Sequence, residues 1–189
     1  MLIFYSDDLT VTGFQTYPPE SPLPHIVADD SLAAELGQYI GKLTLVGNAG
    51  AYALPADWRT QGAAAKAADD LAAAYADAKR RINAAYEAHI NAILADYPLS
   101  ETLSFEKQEK EARAWQADNA AATPYIDALL VERPLSKYEL VARIINKADA
   151  FTWASGMATG KRQRLEDEIN TAYGAGDTAA LDAIQWGAA

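Results

Sequence analysis

Glycine and proline are segregated along this chain, and that segregation limits its possible folds more than any motif does. Five of the eight prolines and five of the eleven glycines precede residue 60, and no glycine lies between Gly62 and Gly156. Both residues punctuate regular structure, so the first third reads as turn-rich and the remainder as helix-permissive. The fold class that follows is α+β: a small N-terminal β-rich domain over residues 1–58, a long amphipathic helix over 59–99, and a C-terminal helical bundle over 100–189.

In the first third, Leu2 to Tyr5 and Gly13 to Thr16 read as short strands, followed by the proline-rich stretch from Tyr17 to Pro24. Asp30 or Ser31 can cap a short helix with Leu32, Leu36, Tyr39 and Ile40 on one face, ending at Gly41. Lys42 to Val46 and Ala51 to Leu54 flank Gly47-Asn48-Ala49-Gly50, a hairpin turn signal. A unit this small, without disulfide or metal, buries little core and needs a further surface to pack on.

From Ala63 to Tyr97 the residues support one helix of about 35 residues, roughly 50 Å at 1.5 Å per residue. Two sets of its apolar residues repeat at intervals of eleven: Tyr75, Tyr86 and Tyr97, and beside them Leu71, Ile82 and Ile93. Eleven residues in three turns keeps such a stripe nearly parallel to the helix axis. An amphipathic stripe of tyrosine and isoleucine demands a cover. We expect self-association through this helix, or a partner protein, in preference to a cover from within the chain, and Leu71, Tyr75, Ile82, Tyr86, Ile93 and Tyr97 form the candidate interaction surface.

Pro98 ends that helix. A second helix is expected from Leu103 to Asn119, with Phe105, Ala112 and Trp115 inward. Thr123-Pro124 starts a third, with threonine as cap and proline at the first helical position. Ser136-Lys137-Tyr138-Glu139 is a capping box that opens a fourth, carrying Leu140, Val141, Ile144, Ile145, Ala148 and Phe151 on one face. Gly156 and Gly160 punctuate it before a further helix with Leu165, Ile169, Ala172 and Tyr173. Gly174-Ala175-Gly176 ends that helix, and Asp177 caps a final turn with Leu181, Ile184 and Trp186.

Composition removes several functional classes. The 189 residues contain no cysteine, so disulfide frameworks, thiolate metal sites and a cysteine nucleophile are absent, which suits a reducing compartment. A net charge of −10 argues against binding a phosphate backbone, so no nucleic acid is expected. No apolar run reaches the roughly 18 residues of a membrane span, and Met1 to Asp8 lacks the basic and small-residue features of a signal peptide. The expectation is a soluble cytoplasmic protein without a membrane partner.

Catalytic patterns are equally sparse. The two histidines, His25 and His89, sit in no metal-binding spacing, and no G-x-S-x-G context supports a serine triad. Gly156-Met157-Ala158-Thr159-Gly160-Lys161-Arg162 superficially resembles a phosphate loop, but the glycines are one residue too close, Arg162 replaces the Ser or Thr, and a helix precedes it. Lys161, Arg162 and Arg164, and likewise Lys79-Arg80-Arg81, read as solvated helix faces paired to nearby acids. Asp69-Asp70 read as helix-start residues favoured by the dipole. Trp58, Trp115, Trp153 and Trp186 read as core anchors, with partner hot spots as the alternative. We therefore expect an interaction protein with no catalytic residues, no metal and no cofactor. A small hydrolase using serine, a histidine and aspartate is the competing class.

The order of segments carries a resemblance. The chain opens with Ile3-Phe4-Tyr5-Ser6 and Gly13-Phe14, and passes a compact region ending near Trp58. It enters an alanine-rich helix with Lys79-Arg80-Arg81-Ile82-Asn83-Ala84. Thr123-Pro124-Tyr125-Ile126 follows, then the run from Leu140 to Phe151, then Gly160-Lys161-Arg162-Gln163-Arg164-Leu165 and Ile169. This layout resembles the tail fibre assembly proteins of bacteriophages and prophages. The resemblance implies a non-enzymatic chaperone in the host cytoplasm that helps the distal C-terminal region of a trimeric tail fibre fold and trimerise. The alternative it implies is a structural fibre-cap or baseplate-associated component retained in the virion tail.

Overall fold

The computed structural model describes residues 1–16, 24–48 and 50–187. The proline-rich stretch expected from Tyr17 therefore lies, except for Pro24, outside the described residues, as does Ala49 of the hairpin turn. The protein is α+β, with two small sheets followed by helices. It divides into two compact units: Met1–Tyr75 with Gly176–Thr178, and Ala76–Ala175 with the C-terminal segment from Ala179. The division falls inside the long helix, between Tyr75 and Ala76, and not at either of its ends.

In the first unit, β1 (Leu2–Tyr5) lies between β2 (Val11–Gln15) and β3 (His25–Val27), antiparallel to both. β3 is a strand the sequence pattern does not announce, because it is only three residues long. Beyond β2, the Val11 N–H donates to the Leu43 carbonyl and the Leu45 N–H to the Leu9 carbonyl, so the edge of β2 is held by the 43–45 segment. Asp29, one residue before the expected cap, accepts from the Ser31 N–H and starts a helical turn that continues as α1 (Ala33–Leu36). Gly41 terminates this region with φ +76°, as its position suggests.

β4 (Val46–Asn48) and β5 (Ala51–Ala53) form the expected hairpin, with pairing that extends to Asn48 and Ala51. Gly47 thus belongs to the strand. With φ +131°, a Cβ there would sit 2.1 Å from the Ala51 carbonyl oxygen, so no other residue fits.

The core of this unit is Ile3, Val11, Leu36, Leu43, Leu45 and Trp58. Trp58 is the first residue of α2 (Trp58–Leu94), which starts five residues before the expected Ala63 and supplies the extra surface the small sheet requires. The Tyr39 ring meets Trp58 edge-on at 6.0 Å, and Arg59 lies over the indole while bonding Glu35 at 2.7 Å. Gly62 is not punctuation. It is buried within α2, where a Cβ would fall 2.5 Å from Cγ of Tyr39. Asp69 and Asp70 stand well inside the helix and serve as partners of Lys42 and Lys66, correcting their reading as helix-start residues.

In the second unit, α2 ends at Leu94, and two i→i−3 bonds, from the Ala95 N–H to Ala92 and from the Tyr97 N–H to Leu94, lead the chain to Pro98. α4 (Phe105–Ala117) is the helix expected from Leu103 to Asn119, and a short additional helix, α3 (Leu99–Thr102), precedes it. α5 (Pro124–Glu132) begins where Thr123-Pro124 places it, but the Thr123 side chain does not cap it. Glu111 of α4 does so, accepting from the N–H groups of Tyr125 at 2.9 Å and Ile126 at 3.0 Å. A carboxylate there satisfies two orphan donors and meets the positive end of the helix. Ala112, Ile126, Leu140, Val141, Ile144 and Ile145 form the core of this helical region, with Trp115 packed against it.

The largest departure from expectation is α6 (Lys137–Gly174), a single helix of 38 residues. Ser136 caps it, accepting from the Glu139 N–H at 3.1 Å. Gly156 and Gly160 do not interrupt it. Each costs about 1 kcal/mol against alanine, less than the burial of Ala158, Leu165, Ile169 and Ala172 contributes on the opposite side. α7 (Thr178–Ala183) follows a turn in which Gly176 has φ +70°.

Gly62→Ala tests the packing at Tyr39. In an open helix interior alanine gains about 1 kcal/mol over glycine. Here the methyl group must displace an aromatic ring, so we expect a net loss of about 1–3 kcal/mol in urea unfolding. A raised midpoint would contradict the contact.

Candidate interaction surface

The predicted stripe on α2 is not an open surface. Ile82 is 2% exposed, and Leu71, Tyr75, Tyr86, Ile93 and Tyr97 are half-buried. Leu71 and Tyr75 lie in the first unit. Ile82, Tyr86, Ile93 and Tyr97 lie in the second, where side chains from the same chain cover much of the seam. The Tyr86 ring meets Trp186 edge-on at 6.2 Å, and its hydroxyl lies 3.3 Å from Thr159 Oγ1 on α6. Tyr97 meets Phe105 at 5.1 Å, with Lys147 above its ring. The preferred expectation, a cover from another copy or a partner, gives way here to a substantially internal one.

Charged residues fix this arrangement. Arg81 was expected on a solvated face. Instead, its Nη1 bonds Asp77 at 2.5 Å, and its Nη2 donates to the carbonyls of Leu181 at 2.9 Å, Ile184 at 3.4 Å and Asp182 at 3.5 Å. The guanidinium therefore caps the end of α7, while its Nε is buried without a hydrogen-bond partner. Lys79 reaches Glu166 at 3.1 Å, and Arg162 holds the same carboxylate at 3.0 Å. The Lys79 hydrogen bond, and then the charges of Lys79 and Arg162, hold the Glu166 carboxyl below its usual range. Around Trp186 gather His89 at 5.9 Å and Lys161 at 5.3 Å. The result is a cation-rich aromatic cluster whose groups hold α7 and the C-terminal turn in place.

Apolar surface is left elsewhere. Leu99, Leu103, Val131 and Tyr138 are each at least three-quarters exposed, as is very nearly Trp153 at 74%, with Met157 at 63%. Trp153 thus departs from the expectation of four core anchors, whereas Trp58 is buried and Trp115 and Trp186 are half-buried. Two recesses accompany these residues. One, of ≈ 280 Å³, is lined by Trp115, Gln116, Asn119, Tyr138, Val141 and Ala142. The other, of ≈ 430 Å³, opens along α6 beside Trp153, Gly156 and Met157. Among the described residues no cluster of three or more His, Asp or Glu side chains is arranged to hold a metal, and no helix is long and apolar enough to cross a membrane.

Residues 146–186 match the family model of the HI1402 helical domain. No curated protein and no solved structure matches the chain. The matched stretch contains Thr159, Glu166 and Trp186, which face the α2 seam, and also Trp153 and Met157, which do not. Sequence periodicity locates the seam residues. It gives no signal for Glu111 as a cap or Arg81 as a clamp, because both act across elements distant in sequence.

If the seam is internal, Ile82→Ala removes core packing and costs about 2–5 kcal/mol in chemical unfolding; an unchanged stability would show Ile82 to be a surface residue. Glu166→Gln tests the charged contact. A carboxyl lowered by folding contributes stability above its unfolded pKa and loses it as pH falls through the native value. The variant is therefore expected to be less stable than the parent near neutral pH, with the difference disappearing in acid. A difference that persists in acid would contradict this linkage.

Proposed function

We propose that this protein is a non-enzymatic assembly chaperone for a phage or prophage tail fibre, acting in the host cytoplasm on the distal region of the fibre. The observation that carries this reading is the set of large apolar side chains left at the surface of the helical unit, with Tyr138 standing beside the Trp115 recess between α4 and α6. Exposed aromatic and aliphatic groups beside a recess suit docking of a protein segment. The segment order that resembles the tail fibre assembly proteins selects the kind of partner. A fibre tip rich in long-range strand pairing folds slowly and exposes edges during assembly, so a transient helical partner serves it without any chemical step.

Production of the fibre with and without this chain tests the proposal, read as the fraction of fibre recovered as trimer. We expect a several-fold lower trimer fraction without the chain, and an intermediate value with Tyr138→Ala. Equal trimer fractions with and without the chain would contradict the proposed function.

A further inference from the structure

α6 has two faces, and among the described residues of the second unit only one is covered. Ala158 and Leu165 are buried on one side. On the other, Ala150, Trp153, Met157, Gly160 and Arg164 are exposed and recur at alternating intervals of three and four residues, the spacing of a helix-pairing seam. Among the described residues nothing lies within 4 Å of where a Cβ would stand on Gly156 or Gly160, so the backbone is open there. Trp153 and Met157 project beside these gaps, and the ≈ 430 Å³ recess lies between them.

This face is complementary to itself in one orientation. An antiparallel pairing about a twofold axis between Gly156 and Met157 places Trp153 opposite Gly160 and Asp149 opposite Arg164, with the two Met157 side chains beside each other across the axis. Each Trp153 then meets a glycine, and Asp149 meets Arg164. Glycine lets the backbones approach closely enough for the large groups to make dispersion contacts. Asp149 and Arg164 already bond Arg113 and Glu168 on the surface, so pairing joins two exposed ion pairs into a network and does not bury an unpaired charge. A parallel pairing would set Trp153 against Trp153 and Asp149 against Asp149.

We propose that the chain forms an antiparallel homodimer through this face of α6, with Trp153 of each copy seated over Gly160 of the other. The contact is short: residues 149–164 span roughly 25 Å, which places it at or below the low end of specific interfaces, about 1,200 Å² in total. The net charge of −10 on each copy also opposes association. The dimer is therefore weak, with a Kd on the order of 10–100 μM. The inference stands apart from the fibre reading, since sedimentation of the purified chain needs no fibre.

The experiment is sedimentation equilibrium of the full chain from a few-fold below to a few-fold above that Kd, with Trp153→Ala and Gly160→Leu beside it. We expect a monomer–dimer equilibrium in the parent and at least a tenfold weaker one in both variants. Leucine favours the helix over glycine, so the Gly160→Leu chain should melt no earlier than the parent, which separates lost pairing from lost folding. A parent that stays monomeric throughout, or a dimer indifferent to both substitutions, would overturn the proposal. A spin label on Asn146→Cys reads the orientation: antiparallel pairing separates the two labels by roughly 30 Å along the helix axes, whereas a short distance would overturn the register.

Discussion

The clamp that Arg81 makes on the end of α7 is the contact on which the arrangement of the second unit depends. The donor on α2 and the first of its acceptors, the Leu181 carbonyl, are 100 residues apart. α7 has only six residues, too few to be stable as an isolated helix. Its last carbonyls have no intrahelical partners, and Arg81 supplies a donor to them. A guanidinium offers several donors in a fixed plane and can hold them together, which an ammonium cannot do in the same geometry. Once that end is held, Leu181 is buried and Trp186 lies against Tyr86 and His89.

This explains how a stripe that looks like an outward surface becomes a seam. Periodicity in Tyr75, Tyr86 and Tyr97 and in Leu71, Ile82 and Ile93 establishes that something must cover α2, but it carries no information about what. Within the second unit, the cover is assembled from Thr159 and Glu166 on α6 and from Trp186 near the C-terminus, elements that look unrelated to α2 in the sequence. The fold class, β1, the hairpin, the Ser136 cap and the proline at the start of α5 were legible because each depends on neighbouring residues. The cap on α5 was not, because Glu111 reads as one more charge on an exposed face until α4 and α5 are packed together.

The glycines show the same limit from the other direction. Gly62 marks a close approach by Tyr39, and Gly47 a backbone conformation that only glycine takes beside Ala51, whereas Gly156 and Gly160 leave open space on a continuous helix. Composition treats all four as breakers. Packing on the far side of α6, at Ala158, Leu165 and Ile169, decides that the helix continues. The near side then retains Trp153 and Met157 as exposed apolar groups, so the surface available for association moves from α2 to α6.

The claim that the α2 seam of the second unit is covered from within the chain is tested most directly by nuclear Overhauser contacts between the Tyr86 ring and the Trp186 indole. The sample mixes isotope-labelled and unlabelled chains at a concentration well below self-association. An internally covered seam gives a contact within one chain that is unchanged on dilution. Absence of the contact, or its appearance only between labelled and unlabelled chains, would contradict the account and return the stripe to the surface.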